Sequence, residues 1–184
     1  MIYPIFVYGN PVLKKKTSLI KKIGDIDVIK LSKDMFATMK LADGIGLAAP
    51  QIGKSLRIFV VDGSSLNDEK MSNFKKVFIN PKIIKEDGEE WEFEEGCLSI
   101  PLIKERIRRK SIVEVEYYDE NWNFHKERFD GMKARIIRHE YDHLDGILFT
   151  DYLSSFKRKL IKNKLLRISK GRVDVDYKIF APNK

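Results

Sequence analysis

Apolar residues recur every three or four positions in three stretches of the chain. The first stretch begins at Asp27, a good capping residue, and continues to Gly44; its apolar positions are Val28, Leu31, Met35, Phe36 and Met39. The second lies between Asp130 and Gly146 and carries Met132, Ile136, Ile137 and Leu144. The third follows Ser154 and Ser155 and carries Phe156, Leu160, Ile161, Leu165 and Ile168. A period near 3.6 predicts an amphipathic helix in each stretch.

Elsewhere apolar and polar residues alternate, which is typical of β-strands. Val113, Val115 and Tyr117 precede a turn at residues 119–121, and Trp122, Phe124 and Phe129 follow it, so a β-hairpin is predicted. An apolar strand is predicted at 57–62, and short strands at 77–80 and 83–84 are expected to be broken at Pro81. Finally, a returning strand is predicted from the alternation of Val173, Val175, Tyr177 and Ile179.

The remaining segments have weaker patterns. Residues 1–18 predict an irregular arm, and residues 63–76 predict an exposed polar loop. His125 is out of phase with the aromatic residues of the hairpin, so we expect it to be exposed and not a ligand. No internal repeat or interdomain linker interrupts the chain, and residues 1–184 are therefore predicted to form a single α+β domain.

Composition adds limits on the environment and the partners. The 184 residues are 43% hydrophobic, which is enough to bury a core, and the formal net charge of +8 favours an acidic partner. No stretch is long and apolar enough to cross a membrane, and the first residues do not form a signal peptide, so we expect a cytoplasmic protein without membrane association. A single cysteine, Cys97, rules out an intrachain disulfide bond.

The second predicted helix contains the sequence HEYDH, with His139 and His143 four residues apart on one face. Both can bind one metal ion from adjacent turns, and Glu140 can reach a water bound to that ion and act as its base. Five-residue patterns also recur by chance, so the assignment depends on a third ligand. An apolar stripe that carries three such polar groups nevertheless favours a functional site.

The third ligand can be narrowed by elimination. Metalloproteases built on such a helix usually take it from downstream, as Glu or His, and the chain has neither between Leu144 and Lys184. Four downstream residues remain possible, namely Asp145, Asp151, Asp174 and Asp176. Cys97 is the stronger candidate because it is a thiolate source in a segment with glycine and charged neighbours, although a single cysteine can also be a small buried hydrophobic residue.

Three motifs in order carry a resemblance to a known family. The segments GIGLAAPQ at 44–51, EGCLS at 95–99 and HEYDH at 139–143 resemble the signature motifs of bacterial peptide deformylase, and residues 9–13 are similar to the N-terminal arm of that family. The resemblance covers nearly all of residues 1–153. It implies antiparallel β-sheets wrapped around a central metal-binding α-helix, and the sequence pattern adds a C-terminal helix.

The resemblance also implies the residues of a catalytic site. The metal ligands would be Cys97, His139 and His143, Glu140 would be the general acid and base, and the oxyanion would be bound by Gln51 and the main-chain N–H of Leu98. One divalent metal ion is implied, Fe²⁺ in the cell, which Zn²⁺, Ni²⁺ or Co²⁺ can replace. Arg138 stands where the family commonly has glutamine, which affects hydrogen bonds around the ligands and not the ligands themselves.

The implied reaction is removal of the formyl group from the N-formylmethionine of nascent peptides, with release of formate. A formyl group is the smallest acyl group, so a tight wall of Gly46 backbone would admit it and exclude an acetyl group or an internal peptide. By motif position, we expect the methionine side chain to enter an apolar pocket. Its residues would be Ile45, Phe93, Met132 and Ile136.

Two other functions are compatible with parts of the sequence. An HExxH zinc metalloprotease would share the metal helix, but it lacks the downstream ligand here. A basic nucleic-acid-binding module with a structural metal would need a closed site with four ligands, and His125 is the only His or Cys left for it.

The last predicted helix is strongly basic, with eight Lys or Arg and no acid between Lys157 and Arg172. A solvated face would explain this charge. Deformylases that resemble this chain are thought to use a C-terminal helix to dock beside the ribosomal exit tunnel, so the resemblance implies a transient contact with the ribosome. We expect the protein to be a monomer.

Overall fold

The computed structural model describes residues 1–21, 26–66 and 68–182. Its strands, in chain order, are β1 (Ile5–Phe6), β2 (Gly46–Ala48), β3 (Ile58–Asp62), β4 (Lys75–Cys97), β5 (Ile100–Tyr118), β6 (Phe124–Asp130) and β7 (Ile179–Phe180). Its α-helices are α1 (Val28–Leu41), α2 (Gly131–Leu144) and α3 (Ser155–Ser169). Short 3-10 helices lie at Pro11–Lys14, Ala49–Ile52 and Phe149–Tyr152.

The three predicted helices are confirmed, and two of the expected caps form. The Asp27 carboxylate accepts a hydrogen bond of 2.9 Å from the Lys30 N–H, and the Ser154 hydroxyl accepts one of 3.2 Å from the Lys157 N–H. These bonds satisfy N–H groups that the first turn of a helix leaves without partners. Asp130 precedes α2 as expected, but its side chain makes no capping hydrogen bond.

Strands β2 to β6 form one antiparallel sheet in the order β2-β3-β4-β5-β6. The predicted hairpin is confirmed as β5 and β6, in which Val113 pairs with Phe129. Helix α2 packs on this sheet, where its buried Ile137 and Leu144 join a core that includes Phe78. The α+β class is therefore confirmed, and the helix that carries both histidines packs against the antiparallel sheet. No helix in the described ranges has the length and apolarity needed to cross a membrane.

Pro81 does not end a strand, so the prediction of two short strands there was wrong. β4 continues through it with a shift of register between Ile79 and Lys82, and Asn80 adopts a positive φ of 51°. This irregularity accommodates a residue that cannot donate a backbone hydrogen bond. The Asn80 amide also binds both backbone groups of Ile20, each at 2.8 Å, which holds the irregular position in place.

The apolar stripe of α3 is narrower than predicted. Ile161, Leu165 and Ile168 are buried, whereas Phe156 and Leu160 are 69% and 66% exposed. At 3.6 residues per turn, Phe156 and Leu160 point about 140° and 100° away from Ile161, so they cannot share its contact face. The five-residue stripe was therefore wrong at two of its positions.

The two ends of the described chain meet. Val173, Val175, Tyr177 and Ile179 are half-buried and alternate with exposed residues, as predicted. Strand pairing is shorter than expected, since in this segment the described residues pair only at Ile179–Phe180, which lies parallel to β1. The arm at 1–18 is thus irregular apart from β1 and the 3-10 helix at Pro11–Lys14.

The predicted loop at 63–76 is only partly exposed. Met71 and Phe74 are 1% and 5% exposed and belong to the core beside α2, and β4 already begins at Lys75. Residue 67 lies outside the described part of the loop. His125, on β6, is half-buried and not freely exposed, because its Nε2 lies 3.0 Å from the Asp119 carboxylate.

Candidate metal centre

Helix α2 places two imidazoles on one face, and the end of β4 brings a thiol to them. The rings of His139 and His143 lie 5.1 Å apart, centre to centre, at an angle of 80°. The Cys97 Sγ lies 3.3 Å from His143 Nε2. One possible ligand atom from each of the three residues lies within 4.8 Å of the other two. A thiolate and two imidazoles so close together fit one divalent metal ion of the transition series.

A buried carboxylate, Glu95, orients the first histidine. Its Oε2 lies 2.9 Å from His139 Nδ1. An ionised carboxylate only accepts hydrogen bonds, so Nδ1 carries a proton, and Nε2 is the nitrogen left to bind a metal. From the sequence, no role is predicted for Glu95. The sequence signal for it is the spacing of two residues from Cys97, because side chains two apart on a strand lie on the same face.

Two arginines complete the surroundings of Glu95. Arg109 on β5 donates through Nε at 2.7 Å and through Nη2 at 2.9 Å, one bond to each carboxylate oxygen. Arg135 on α2 donates to the same carboxylate at 2.9 Å and also to the Trp91 carbonyl at 2.7 Å. The sequence showed Arg109 only as part of a basic stretch, because nothing local distinguishes a buried arginine from an exposed one.

The pKa values follow from this arrangement. Burial alone would raise the pKa of the Glu95 carboxyl, but hydrogen bonds from Arg109 and His139 outweigh burial and hold the pKa far below its ordinary value. Burial also lowers the pKa of His143 well below its ordinary value. His143 is therefore neutral, which is the form that binds metals.

Arg138 lies on the outer side of this cluster. Its guanidinium donates to Asp142, which also accepts a bond of 2.7 Å from Arg109 Nη1 and one of 2.9 Å from the Tyr152 hydroxyl. A further bond from Arg138 reaches Glu86 on β4. The substitution of arginine for glutamine therefore ties α2 to β4 by charge, and it contacts no ligand in these hydrogen bonds.

Glu140 is the second buried carboxylate of the centre, and its surroundings are opposite to those of Glu95. Its Oε2 has no hydrogen-bond partner among the described residues. Burial raises the pKa of Glu140 to about 7. The backbone of Gly46 lies directly against it, since a Cβ at this glycine would be 2.3 Å from Glu140 Oε1.

Gln51 lies across the thiol from the histidines. Its Oε1 accepts a bond of 2.8 Å from the Ala48 N–H, which fixes the side chain. Its Nε2 then points to Cys97 Sγ at 3.4 Å and to the Ser99 hydroxyl at 3.3 Å. The short 3-10 helix at Ala49–Ile52 thus places an amide donor beside the candidate metal ligands.

A cavity of about 800 Å³ opens above these groups. Its polar lining includes Gln51, Cys97, His139 and Glu140, and Leu98 borders it. The four residues expected to form an apolar pocket also line it, namely Ile45, Phe93, Met132 and Ile136. His143 is 1% exposed and does not line the cavity, but it lies close to Cys97 and His139. The structure therefore brings together the catalytic, metal-binding and pocket residues that the resemblance implied. Val175 and Tyr177, from the segment after α3, also line the cavity.

A thiol and two imidazoles that can hold a metal lie beside a buried carboxylate, whose Oε2 has no partner in the described part of the chain. This combination is typical of the class of metal-dependent hydrolases. The family model described as polypeptide deformylase matches residues 2–159. The chain belongs to this family. Neither the protease nor the nucleic-acid-binding module considered from the sequence is needed to explain the site.

Relatives match over nearly the whole chain. A peptide deformylase of Cytophaga hutchinsonii is 53% identical over 184 residues, covering 100% of both chains. The crystal structure of peptide deformylase from Thermus thermophilus has a TM-score of 0.83 and 37% identity, and the match covers 94% of this chain and 100% of that one. A Plasmodium falciparum peptide deformylase in complex with an inhibitor has a TM-score of 0.78 and 33% identity, with 90% and 99% covered.

Replacing Glu95 by Gln should weaken metal binding. The substitution removes the negative charge that lies between the buried guanidiniums of Arg109 and Arg135. The neutral amide is also a weaker acceptor for the Nδ1 proton of His139, so it orients the ring less well. We expect metal affinity to fall roughly 10- to 100-fold and the free energy of unfolding to fall by about 3 to 5 kcal/mol. Titration with a competing chelator and urea unfolding measure the two effects.

The matched control is Glu94→Gln, which changes the neighbouring exposed glutamate in the same way. It should leave both quantities within error of the parent. Equal metal affinity in the Glu95 and Glu94 variants would contradict the orienting role of Glu95.

Proposed function

We propose that the described site removes the formyl group from the N-terminal formylmethionine of nascent peptides and releases formate. The observation that carries this proposal is the buried Glu140 carboxylate, which lies beside the three candidate ligands and against the Gly46 backbone. No residue that the structure describes is a hydrogen-bond partner of its Oε2. Membership of the deformylase family gives the reaction, and the geometry supports the roles of individual residues.

In this proposal Cys97, His139 and His143 hold the metal ion. When bound, the ion supplies Lewis acidity, which polarises the formyl carbonyl and makes water a stronger acid. We propose Fe²⁺ as the ion in the cell, with Zn²⁺, Ni²⁺ or Co²⁺ able to substitute. A mixed thiolate and imidazole donor set suits all four ions, so the donors support a transition metal and the choice of iron comes from the family.

Glu140 is proposed as the general base and general acid. Glu140 lines the cavity beside the three candidate ligands, and in this proposal its carboxylate takes a proton from the attacking water. It then delivers the proton to the nitrogen that leaves as the free amino group of methionine. Because burial already disfavours the charged carboxylate, the transfer in either direction needs little driving force.

Gln51 and Leu98 are proposed to stabilise the oxygen that becomes negative during the attack. The Gln51 amide is held by the Ala48 N–H, and Leu98 is among the residues that line the cavity. A well-placed donor of this kind contributes roughly 3 kcal/mol to the stability of the transition state.

The cavity supports a selection for formylmethionine. Gly46 leaves no room for a carbon atom between its backbone and Glu140, which favours an acyl group that carries only hydrogen on its carbonyl carbon. The side chain of methionine would enter between Ile45, Phe93, Met132 and Ile136. Of these, Phe93 is 38% exposed and lies at the mouth.

We further propose that residues 1–184 act as one catalytic domain, as a monomer in the cytoplasm. Support comes from α3, whose buried Ile161, Leu165 and Ile168 share a core with Val7 of the arm and Ile103 of β5. The C-terminal helix is thus packed on the part of the chain that carries the metal centre.

The outer face of α3 is proposed to contact the ribosome. It carries five exposed basic residues, namely Arg158, Lys159, Lys162, Lys164 and Arg167, and the exposed Lys170 follows directly after the helix. Lys157 is different, because its Nζ lies 3.1 Å from the Glu105 carboxylate. The exposed Phe156 and Leu160 lie on the same helix, so the surface combines charge for RNA phosphates with apolar area for a protein.

Changing Glu140 to Gln should keep the metal and abolish most of the activity. The amide has the same shape but cannot take up the proton, so we expect turnover of a formyl-Met tripeptide to fall roughly 100- to 10,000-fold. Formate release and metal content are measured on the same sample, purified without oxygen. Near-normal turnover would contradict the role of Glu140, and zinc as the only ion in a fully active sample would contradict iron.

Changing Gly46 to Ala should displace Glu140. The added methyl group would lie 2.3 Å from its Oε1, and a shift of about 1 Å lowers turnover roughly 100-fold. Gly96→Ala is the matched control, because its Cβ would meet nothing closer than 3.5 Å. The measurement is formate release by both variants. Equal activity of the two variants would contradict the proposed role of the Gly46 backbone.

Replacing Arg158, Lys159, Lys162 and Lys164 by Gln should weaken binding to ribosomes and leave turnover of a short peptide unchanged. Each lost phosphate contact also makes binding less dependent on salt. Cosedimentation with ribosomes at several salt concentrations measures both effects. The control carries the same charge change at Lys15, Lys16, Lys21 and Lys33, which are exposed elsewhere. Equal sedimentation of the two variants would assign the charge of α3 to solvation alone.

A further inference from the structure

The segment after α3 runs back over the metal centre. It lies beyond residue 159, where the match to the family model ends. Its inward-facing side chains alternate with exposed ones, and two of them, Val175 and Tyr177, line the cavity. This tail, residues 173–182, is therefore part of the wall around the proposed substrate.

The N-terminal arm holds the tail in place. The Ile5 N–H donates to the Lys178 carbonyl at 2.8 Å, and the Val7 N–H donates to the Phe180 carbonyl at 3.1 Å. The Asn10 amide donates to the Phe180 carbonyl as well, at 2.8 Å. The rings of Phe6 and Phe180 stack with their centres 4.4 Å apart. Backbone hydrogen bonds and ring stacking together hold the tail against the N-terminal arm.

From this position Tyr177 reaches the turn that joins β4 to β5. Its hydroxyl donates to the Leu98 carbonyl at 2.8 Å. The next residue of the turn, Ser99, is held from two other sides. Its carbonyl accepts a bond of 2.8 Å from the Tyr8 N–H, and its hydroxyl lies 3.3 Å from Gln51 Nε2. Three separate segments of the chain therefore fix two consecutive residues.

We infer that Tyr177 is a positioning residue for the reaction: it holds the Leu98 peptide so that the main-chain N–H keeps its direction toward the substrate oxygen. This inference rests on the proposed role of Leu98. The Leu98 side chain adds a second constraint, because it packs so tightly beside Gly44 that a Cβ there would lie 2.8 Å from Leu98 Cδ1. The Leu98 N–H belongs to the preceding peptide unit, and the other end of that unit is held by the pairing of Cys97 with Ile100. With both of its ends held, this peptide unit keeps its orientation.

The test is Tyr177→Phe, which removes only the hydroxyl. We expect kcat for a formyl-Met tripeptide to fall about 10-fold, which is less than the roughly 100-fold or greater loss on removing an oxyanion donor outright. KM should stay within about twofold, since the interaction acts in the transition state and not in substrate binding. Metal content should equal that of the parent.

The matched control is Tyr117→Phe. The Tyr117 hydroxyl also donates a hydrogen bond to another group of the protein, Glu127, but it lies in the core between β5 and β6. This variant should lose thermal stability and keep the kcat of the parent. A purely structural role of Tyr177 would give the same result as the control.

The outcomes distinguish failure of the positioning role from failure of the proposed function. If the parent releases formate and Tyr177→Phe has the same kcat, the positioning role is overturned and the proposed function stands. A loss of metal in proportion to the loss of activity would also overturn it, because the effect would then act through Cys97. If the parent releases no formate, the proposed function itself fails.

Discussion

The buried Glu95 carboxylate is the interaction on which the metal centre depends. It accepts four hydrogen bonds, two at each oxygen, from Arg109 on β5 and from Arg135 and His139 on α2. Removing such ions from water costs several kcal/mol each, and the attraction between them offsets this only while all are present. The cluster therefore adds little net stability, but it locks the strand that carries Cys97 to the helix that carries both histidines.

Two glutamates in one small volume behave in opposite ways because of their neighbours. Glu95 is surrounded by donors and stays charged, whereas Glu140 is also buried and none of the described residues donates to its Oε2. The first is a fixed negative charge, and the second can exchange a proton near neutral pH. Glutamate thus supplies both a charged group that orients His139 and a group that can exchange a proton. The two side chains are chemically identical, so the difference in their pKa values comes from their surroundings.

The sequence predicted the parts of the site that depend on local spacing. His139, Glu140 and His143 follow from one turn of a helix, and the absence of Glu and His downstream pointed to Cys97. Arg109 could not be found, because its partner Glu95 is on another strand and their contact depends on the register of β4 and β5. For the same reason Pro81 was misread as a strand break, since local rules do not show how a bulge absorbs a missing donor.

The pairing of β1 with β7 also bears on how the molecule folds. Asn10 and Phe180 are 170 residues apart in the chain, whereas the long hairpin of β4 and β5 joins neighbours. Closing a loop of that length costs more entropy than closing the hairpin, so we expect the distant pairing to form after the hairpin. On this expectation the turn at Leu98 and Ser99 forms before Tyr177 reaches it, and the wall of the cavity is completed last.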